Sequence, residues 1–249
     1  MATTTPAETI GEAVAFFERE GPVDAIGIGS FGPVDLGRGV ITTTPKPGWA
    51  HTEVADEIGR RLGVQVAFDT DVNAAALGEY RWGALQGLDV CCYVTVGTGI
   101  GGGVLVGGAQ LHGLQHPEVG HLRIPHDRDE DPFPGVCPFH GDCWEGLASG
   151  PALEARWGRP ADELEDDAPW ALEARYLALG LVGLTAVVSP RRIVLGGGVL
   201  NRPGLLELVQ RQLDQLVSGY VAVPELVPPG LGARAGVLGA LALAESILD

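Results

Sequence analysis

Two cysteines and two histidines are spaced like the ligands of a small metal-binding loop. The segment CPFHGDC, residues 137–143, has C-x2-H-x2-C spacing, and a further histidine lies upstream of it. Two thiolates and two imidazoles form a donor set that suits tetrahedral Zn²⁺, and four protein ligands make such a zinc ion structural. Two free thiols and two surface imidazoles are the alternative interpretation. The four candidate ligands are His121, Cys137, His140 and Cys143.

The segment DTDVNAAALGE, residues 69–79, places carboxylates where a strand is followed by a helix. The strand is predicted to end at Phe68, and an Ala-rich helix is predicted to begin after Val72. Asp71 or Asn73 could simply cap that helix. A carboxylate at the carboxyl end of a strand can instead accept the proton of a substrate hydroxyl, as a kinase acting on an alcohol requires. Both interpretations stay open on this segment alone.

Two glycine-rich segments follow predicted strands. TVGTGIGGGV, residues 95–104, predicts a strand, a turn and a strand, and its turn can bring backbone N–H groups and the Thr98 hydroxyl close to a phosphate. IVLGGGVL, residues 193–200, can allow a nucleotide base or ribose to approach. A plain hairpin and tight packing of a strand on a helix explain the two segments equally well.

The remaining histidines, cysteines and the single lysine have no comparable spacing. Cys91 and Cys92 are adjacent in an apolar run, so we expect free buried thiols there. We expect solvated loop positions for His112, His116, His126 and Lys46.

Alternating strands and helices must position these groups. Strands that end in glycine-rich turns indicate an α/β protein whose ligands bind at the carboxyl ends of the strands. Helices are predicted over residues 8–20, 52–62, 73–83 and 237–248, strands over 23–28, 64–68, 90–96, 103–106 and 192–195, and a loop over 112–143.

Length, charge and hydropathy narrow the class of protein. The 249 residues suffice for one large domain or two small ones. Asp and Glu number 32 against 16 Lys and Arg, and a net charge of −16 argues against nucleic acid as the main partner. No stretch resembles an 18-residue apolar span, and MATTTPAETIGE lacks a signal-peptide pattern. We therefore expect no membrane partner and a cytoplasmic location.

The order of the motifs resembles the ROK sugar kinases, and especially their bacterial fructokinase branch. The resemblance runs from about Thr9 to the C-terminus, through GIGSFGPVD, TPKPGW, DVNAAALGE, GTGIGGG, HPEVGH, CPFHGDCWEGLASGPA and LGGGV. It implies a homodimer and an α/β, actin-like ATPase (ribonuclease H-like) fold with two lobes. The implied small lobe is residues 1–72 plus 236–249, and the implied large lobe is residues 73–235, with the zinc loop at 121–143.

The resemblance also implies roles for individual residues, with ATP/ADP, Mg²⁺ and structural Zn²⁺ as cofactors. Asp71 matches the family's catalytic base. The sugar ligands match Asn73, Glu118 and Glu145, and the turn Gly32-Pro33 lines the same site. The nucleotide contacts match Thr98, Gly99, Gly101, Gly102, Pro151, Gly196, Gly197 and Gly198. The zinc ligands match the four named above, with a histidine in place of one usual cysteine, a variant associated with fructokinases.

One departure from the family pattern affects the expected activity. The family opens with a strand, a DxGGTK loop and a hairpin, and this sequence contains no DxGGTK motif. We therefore expect an N-terminally truncated fold without the first phosphate cradle, which would weaken phosphoryl transfer because that reaction depends on positioning and charge neutralisation.

Two functions follow from the resemblance. The first is ATP- and Mg²⁺-dependent phosphorylation of a hexose, with the 6-hydroxyl of D-fructose favoured and glucose, mannose and N-acetylhexosamines left open. The second is a catalytically impaired or inactive sugar-binding or sensor protein. Repressors of this family carry a helix-turn-helix ahead of the kinase fold, and we expect no such segment before Gly27.

Overall fold

Eight helices and ten strands follow one another along residues 3–248, the part of the chain that this computed structural model describes. The helices are α1 (Pro6–Glu20), α2 (Val54–Leu62), α3 (Asp71–Trp82), α4 (Trp144–Ala148), α5 (Gly150–Trp157), α6 (Asp167–Val188), α7 (Leu205–Val217) and α8 (Ala235–Glu245). The strands are β1 (Ala25–Ser30), β2 (Val34–Asp35), β3 (Val40–Ile41), β4 (Thr52–Glu53), β5 (Gln65–Thr70), β6 (Val90–Val96), β7 (Ile100–Val106), β8 (Ala109–Gln110), β9 (Arg192–Gly196) and β10 (Glu225–Val227).

The largest sheet has the strand order β10-β9-β6-β7-β8. Strands β10, β9 and β6 run parallel, whereas β7 and β8 are each antiparallel to the preceding strand. The register pairs Thr95 of β6 with Gly196 of β9. The two glycine-rich segments that follow these strands therefore lie at the same edge of the sheet.

The N-terminal part of the chain forms two smaller sheets. Strands β1 and β5 pair in parallel from Ala25↔Gln65 to Ser30↔Thr70, and β2, β3 and β4 form an antiparallel sheet. Helix α1 starts with a capping box between Thr5 and Glu8, and it buries Ile10 and Val14 in the local core. This region ends at Thr70, where the chain turns directly into α3.

Helices α3 and α8 connect the smaller sheets to the larger one. Alanines of α3 share a core with Cys91, Tyr93 and Leu105 of the large sheet. Helix α8 packs on both α3 and β1: a Cβ on Gly239 would overlap the carbonyl of Ala74, and a Cβ on Gly27 would overlap that of Ala240. We predicted that residues 236–249 pack against the first lobe, and the contact between α8 and β1 agrees with that packing. The boundaries of the two lobes stay a prediction.

Helix α6 corrects the expectation that no stretch resembles an apolar span. Its 22 residues are long and apolar enough to cross a membrane by length and composition, and half of its most apolar 18-residue stretch is buried. Leu177, Leu181 and Leu184 belong to the largest core cluster, and Gly180 lies against the ring of Trp144. An interior helix has this composition because it is covered on several sides.

The predicted elements are present, and some of their ends differ. Strand β6 has the predicted bounds, 90–96, whereas β7 begins at Ile100, inside the glycine run, because that run pairs with β6. Helix α2 begins at Val54 instead of Thr52, because Thr52 and Glu53 form β4 and pair with β3. Cys91 and Cys92 are free and buried as expected.

Candidate active site and metal centre

Asp71 lies at the junction of β5 and α3. The N-cap is Thr70, and neither Asp71 nor Asn73 has that role: the Thr70 hydroxyl accepts the Asn73 N–H at 3.1 Å. Oδ1 of Asp71 accepts the Val72 N–H at 2.8 Å. The side chain is exposed, yet desolvation by the surrounding protein raises the pKa of its carboxyl above the ordinary value.

Asn73 is oriented by the buried carboxylate of Asp69. Oδ1 of Asp69 accepts the Thr70 N–H and the Asn73 Nδ2, each at 2.7 Å. Because a carboxylate only accepts, the amide of Asn73 must point its Nδ2 toward Asp69. Its Oδ1 is then a buried acceptor without a partner among the described residues. A ligand hydroxyl can donate to this oxygen.

His112 belongs to the same cluster. Its Nε2 lies 3.0 Å from Oδ2 of Asp69 and 3.3 Å from Nδ2 of Asn73. An ionised Asp69 can only accept, so Nε2 of His112 carries a hydrogen. His112 is thus an exposed loop residue, as expected, and in addition contacts Asp69 and Asn73.

Two carboxylates from other segments of the chain, those of Glu118 and Glu145, lie near Asp71. Glu118 immediately precedes the 3₁₀ turn Val119–His121, and Glu145 lies in the first turn of α4. Burial, together with the negative charges of Glu145 and Asp71, raises the pKa of Glu118 to about 7. Like charges held together in this way are common in sites that bind or transform a polar ligand.

Glu145 also holds the turn between β6 and β7. Its Oε2 accepts the Ile100 N–H at 2.9 Å, and a Cβ on Gly99 would overlap its carboxylate. Gly101 and Gly102 lie inside β7, where Val72 and Val119 leave little room for a side chain. Packing therefore accounts for glycine at positions 101 and 102, whereas Gly99 lies in the turn itself.

The turn at 97–99 joins the start of α5 and the glycine run after β9. The Gly150 N–H donates to the Gly97 carbonyl at 2.8 Å, and a Cβ on Gly197 would overlap the backbone of Val96. Exposed groups on this surface include Thr98, Pro151 and Gly198, and Gly196 is buried at the end of β9. The structure thus brings together the segments predicted to contact a nucleotide.

The turn Gly32-Pro33 lies against Glu118. A Cβ on Gly32 would lie 3.3 Å from Oε1 of Glu118 and 3.3 Å from Cε1 of His116. His116 is buried, and its Nε2 accepts the Val34 N–H at 3.0 Å. Its expected position in a solvated loop is wrong. In extended backbone, residues two apart point the same way, so the HPE spacing of His116 and Glu118 was an available signal.

Lys46 lies near the catalytic candidate and is only half-exposed. Its Nζ lies 4.4 Å from the centre of the Phe31 ring, and its charge lowers the pKa of Asp71 against the larger effect of desolvation. Lys46 is thus a partly exposed loop residue, close to the solvated position expected, and its spacing in the sequence carried no signal of its contact with Phe31.

The predicted metal ligands form one cluster. Nδ1 of His121 lies 3.3 Å from Nδ1 of His140, 3.7 Å from Sγ of Cys137 and 3.5 Å from Sγ of Cys143. Nδ1 of His140 lies 3.7 Å from Sγ of Cys137. Tetrahedral zinc with ordinary bond lengths has edges of roughly 3.3 Å between two nitrogens and roughly 3.6 Å between nitrogen and sulfur. The donor types and their separations both fit Zn²⁺.

Charged residues brace the loop that carries these ligands. Arg123 Nη1 donates to the His140 carbonyl and to Oδ1 of Asp142, each at 2.8 Å. His126 Nδ1 lies 3.2 Å from Oδ2 of Asp142, and its Nε2 lies 2.9 Å from the Asp131 carbonyl. His126 is therefore a buried structural residue, which corrects the expectation that it is solvated.

Comparisons with known proteins agree with this arrangement. Residues 1–247 match the ROK family. A fructokinase of Zymomonas mobilis is 47% identical over 98% of this chain and 87% of its own length. The ROK hexokinase of Thermus thermophilus has a TM-score of 0.80 at 34% identity, over 97% of this chain and 86% of that one.

A ligand-bound structure belongs to the same set of relatives. The ROK family glucokinase of Streptomyces griseus, solved in complex with glucose and AMPPNP, has a TM-score of 0.79 at 29% identity. The matched region covers 98% of this chain and 89% of that glucokinase. These structures share the actin-like ATPase fold of sugar kinases, as the motif order implied. Since the family match spans nearly the entire sequence, the chain belongs to the ROK family.

Proposed function

We propose that the protein is a fructokinase, which transfers the γ-phosphoryl group of ATP to the 6-hydroxyl of D-fructose. Relatives named fructokinase are 39–47% identical to it over 90–100% of the chain. The observation that carries the chemistry is Asp71, an exposed carboxylate at the junction of β5 and α3 with the acceptor groups of Asn73, Glu118 and Glu145 around it. Such identities to named kinases favour catalysis over the alternative of a sensor without transferase activity.

Asp71 acts as the general base. Its Oδ1 is occupied by the Val72 N–H, so Oδ2 is the atom that can accept the proton of the attacking hydroxyl. Desolvation raises its pKa, which makes the carboxylate a stronger base, and the charge of Lys46 acts in the opposite direction.

The sugar is held by acceptors that converge from different elements. Oδ1 of Asn73 is buried and unpartnered in the described structure, and the carboxylates of Glu118 and Glu145 lie near Asp71. Acceptor groups bind sugar hydroxyls directionally and fix the distance between base and reacting hydroxyl. The Gly32-Pro33 turn closes the site beside Glu118.

The nucleotide binds where the turn at 97–99, the start of α5 and the glycine run at 196–198 meet. The backbone amides of the turn and the Thr98 hydroxyl are donors for phosphate oxygens, and the N-terminus of α5 favours negative charge. Mg²⁺ bound with ATP supplies neutralisation of the phosphate charge. Local donors are needed because the net charge of −16 opposes binding of an anion.

His121, Cys137, His140 and Cys143 hold a structural Zn²⁺ in this proposal. The cluster fits that metal by donor type and distance. Glu145 lies two residues after Cys143, so a fixed loop also fixes the start of α4. We further propose a homodimer in the cytoplasm, as the family resemblance implied, and light scattering of the purified protein tests the dimer.

The test of the proposed function is formation of ADP and fructose 6-phosphate by the purified chain with ATP and Mg²⁺. We expect turnover with fructose to exceed turnover with glucose, mannose and N-acetylglucosamine. The ATP concentration is varied over a wide range because the sequence lacks the DxGGTK motif. Fructose binding without phosphorylation at any ATP concentration would reject the kinase and leave a sugar sensor.

A further inference from the structure

His116 is a buried histidine between two parts of the proposed sugar site. Only 2% of its side chain is exposed. One side of the ring faces the turn that contains Gly32, Pro33 and Val34, and the other side faces Glu118. The turn and Glu118 are far apart in the sequence, so this ring is a contact that only the folded chain creates.

The contacts of the ring determine its tautomer. Nε2 of His116 lies 3.0 Å from the Val34 backbone nitrogen, and a backbone N–H can only donate. Nε2 must therefore offer its lone pair, which places the single hydrogen of the neutral ring on Nδ1. Nδ1 lies 3.5 Å from Oε1 of Glu118. Burial lowers the pKa of His116, so the neutral form with hydrogen on Nδ1 is the form present at neutral pH.

Glu118 needs a donor in this position. Its carboxylate is flanked by the negative charges of Glu145 and Asp71, and it is partly buried. Besides Glu118, the groups that act on the ring are the Pro117 backbone, Asp69 and His112, and the one cation that acts on Asp71 in the described structure is Lys46. A hydrogen on Nδ1 is available to the Glu118 carboxylate across the 3.5 Å separation, and the buried ring restricts the Glu118 rotamers, which prepares the carboxylate to accept sugar hydroxyls.

We propose that His116 is a positioning residue of the sugar site: it holds the Glu118 carboxylate and the Gly32–Val34 turn in a fixed relation before the sugar binds. This inference rests on the proposed function, because Glu118 and the turn are sugar contacts only if the protein binds a hexose. Its role is specific to the sugar half of the reaction. The nucleotide half, formed around residues 97–99, 150 and 196–198, has no contact with the ring among the described residues.

Two substitutions separate a hydrogen-bonding role from simple filling of space. His116→Leu keeps an apolar side chain of similar reach but can neither accept from Val34 nor donate to Glu118. His116→Gln has an amide with one acceptor and one donor, so it can replace both contacts. His126→Leu is the matched control, because His126 is equally buried but lies beside the metal loop.

The measurements are KM and kcat for fructose, KM for ATP, the fructose Kd by calorimetry, and the pH dependence of kcat/KM for fructose. We expect His116→Leu to raise the KM and Kd for fructose about tenfold, as loss of a hydrogen bond to a charged group does. The KM for ATP stays unchanged. Without the Nδ1 donor the pKa of Glu118 rises, so the acidic limb of kcat/KM moves to higher pH. His116→Gln restores the wild-type values.

Each other outcome has a definite meaning. A folded His116→Leu variant with unchanged fructose KM, Kd and pH profile overturns the positioning role. Equal impairment of His116→Leu and His116→Gln also overturns it, because the ring would then act by shape alone. Should His126→Leu raise the fructose KM as much, the effect is one of general stability and the inference fails. Wild-type protein that binds fructose without turnover rejects the kinase, and Kd then tests His116 by itself.

Discussion

The candidate metal cluster and the proposed sugar site are both made of polar side chains, but we expect them to have opposite effects on the stability of the fold. The cluster gathers thiols and imidazoles at distances that suit one cation, and in our proposal binding of that cation stabilises the native chain. The sugar site gathers carboxylates of like charge, and burial raises the pKa of Glu118 to about 7. The comparison teaches that the metal cluster is expected to stabilise its loop. The carboxylates of the sugar site are expected to destabilise the fold, and in return they hold hydrogen-bond acceptors in fixed positions.

The largest expected effect comes from removing the proposed base. Asp71→Asn keeps the size of the side chain but cannot accept the proton, so kcat falls by about 10²–10⁴-fold. Fructose affinity, zinc content and Tm stay close to wild type. Steady-state kinetics, calorimetry and elemental analysis measure these quantities, with Asp24→Asn, on an exposed loop, as the control. Full turnover by Asp71→Asn would exclude Asp71 as the base.

The next effect tests the stabilising half of the comparison. Replacing Cys137 and Cys143 together by serine removes two ligands, and we expect the zinc content to fall from one ion per chain to near zero. Tm falls by about 10 °C, since a tightly bound ligand of the native state is lost. Replacing Cys91 and Cys92 by alanine is the control, because these buried thiols lie in β6. Unchanged metal content in the serine variant would discard the zinc site.

A glycine in the phosphate turn tests how the two halves of the active site are joined. A Cβ on Gly99 would overlap the Glu145 carboxylate, whereas a Cβ on Gly97 has nothing within 4 Å. We expect Gly99→Ala to displace Glu145 and raise the fructose KM about fivefold, a change of roughly 1 kcal/mol. Gly97→Ala leaves that KM unchanged. If both variants had the wild-type KM for fructose, Glu145 would have no part in sugar binding.

The smallest effect tests the destabilising half of the comparison. The pKa of Glu118 is about 7 in the native state against an ordinary 4.5, so the native state binds more protons between these pH values. Its stability therefore falls as pH rises through that window, and the full cost is present above pH 7. Because about a third of the side chain is exposed, this cost is discounted to on the order of 1 kcal/mol.

Glu118→Gln removes that cost and separates stability from function. We expect the free energy of unfolding by urea at pH 8 to increase by about 1 kcal/mol, while fructose affinity decreases. The control is Glu12→Gln, on an exposed position of α1. A Glu118→Gln variant that is less stable than wild type at pH 8 would contradict the view of Glu118 as a destabilising group.

Much of the local structure could be predicted because the signals are short in sequence. The capping box at Thr5 and Glu8 starts α1, and the apolar run at 90–96 is β6 with no change of bounds. The four metal ligands could be proposed from the spacing of CPFHGDC and one upstream histidine. Such signals can be recognised in a sequence because they depend on hydrogen bonds and on ligand spacings that involve only a few neighbouring residues.

The errors concern residues whose partners are distant in the chain. His116 is buried against Val34, and the exposed His112 contacts Asp69, so both contacts depend on segments distant in the chain. Thr52 and Glu53 belong to a strand because β3 offers them backbone partners, although their sequence continues into a helix. The expectation that the chain has no apolar span missed helix α6. The burial of α6 in the core depends on neighbouring helices that are distant in the sequence.

The sequence by itself determined the α/β pattern, the chemistry of the metal ligands and the family to which the chain belongs. These depend on residue types and on spacings that the backbone keeps whatever the rest of the chain does. Only the tertiary structure decided that the charges of Glu145 and Asp71 act on Glu118. It also decided that Asp69 orients the amide of Asn73, and that His116 lies between Glu118 and the turn at Gly32. The first and the third require segments distant in the chain to pack together, and the second requires the chain to turn from β5 into α3. Electrostatic shifts and hydrogen-bond geometry exist only at the distances that this packing sets.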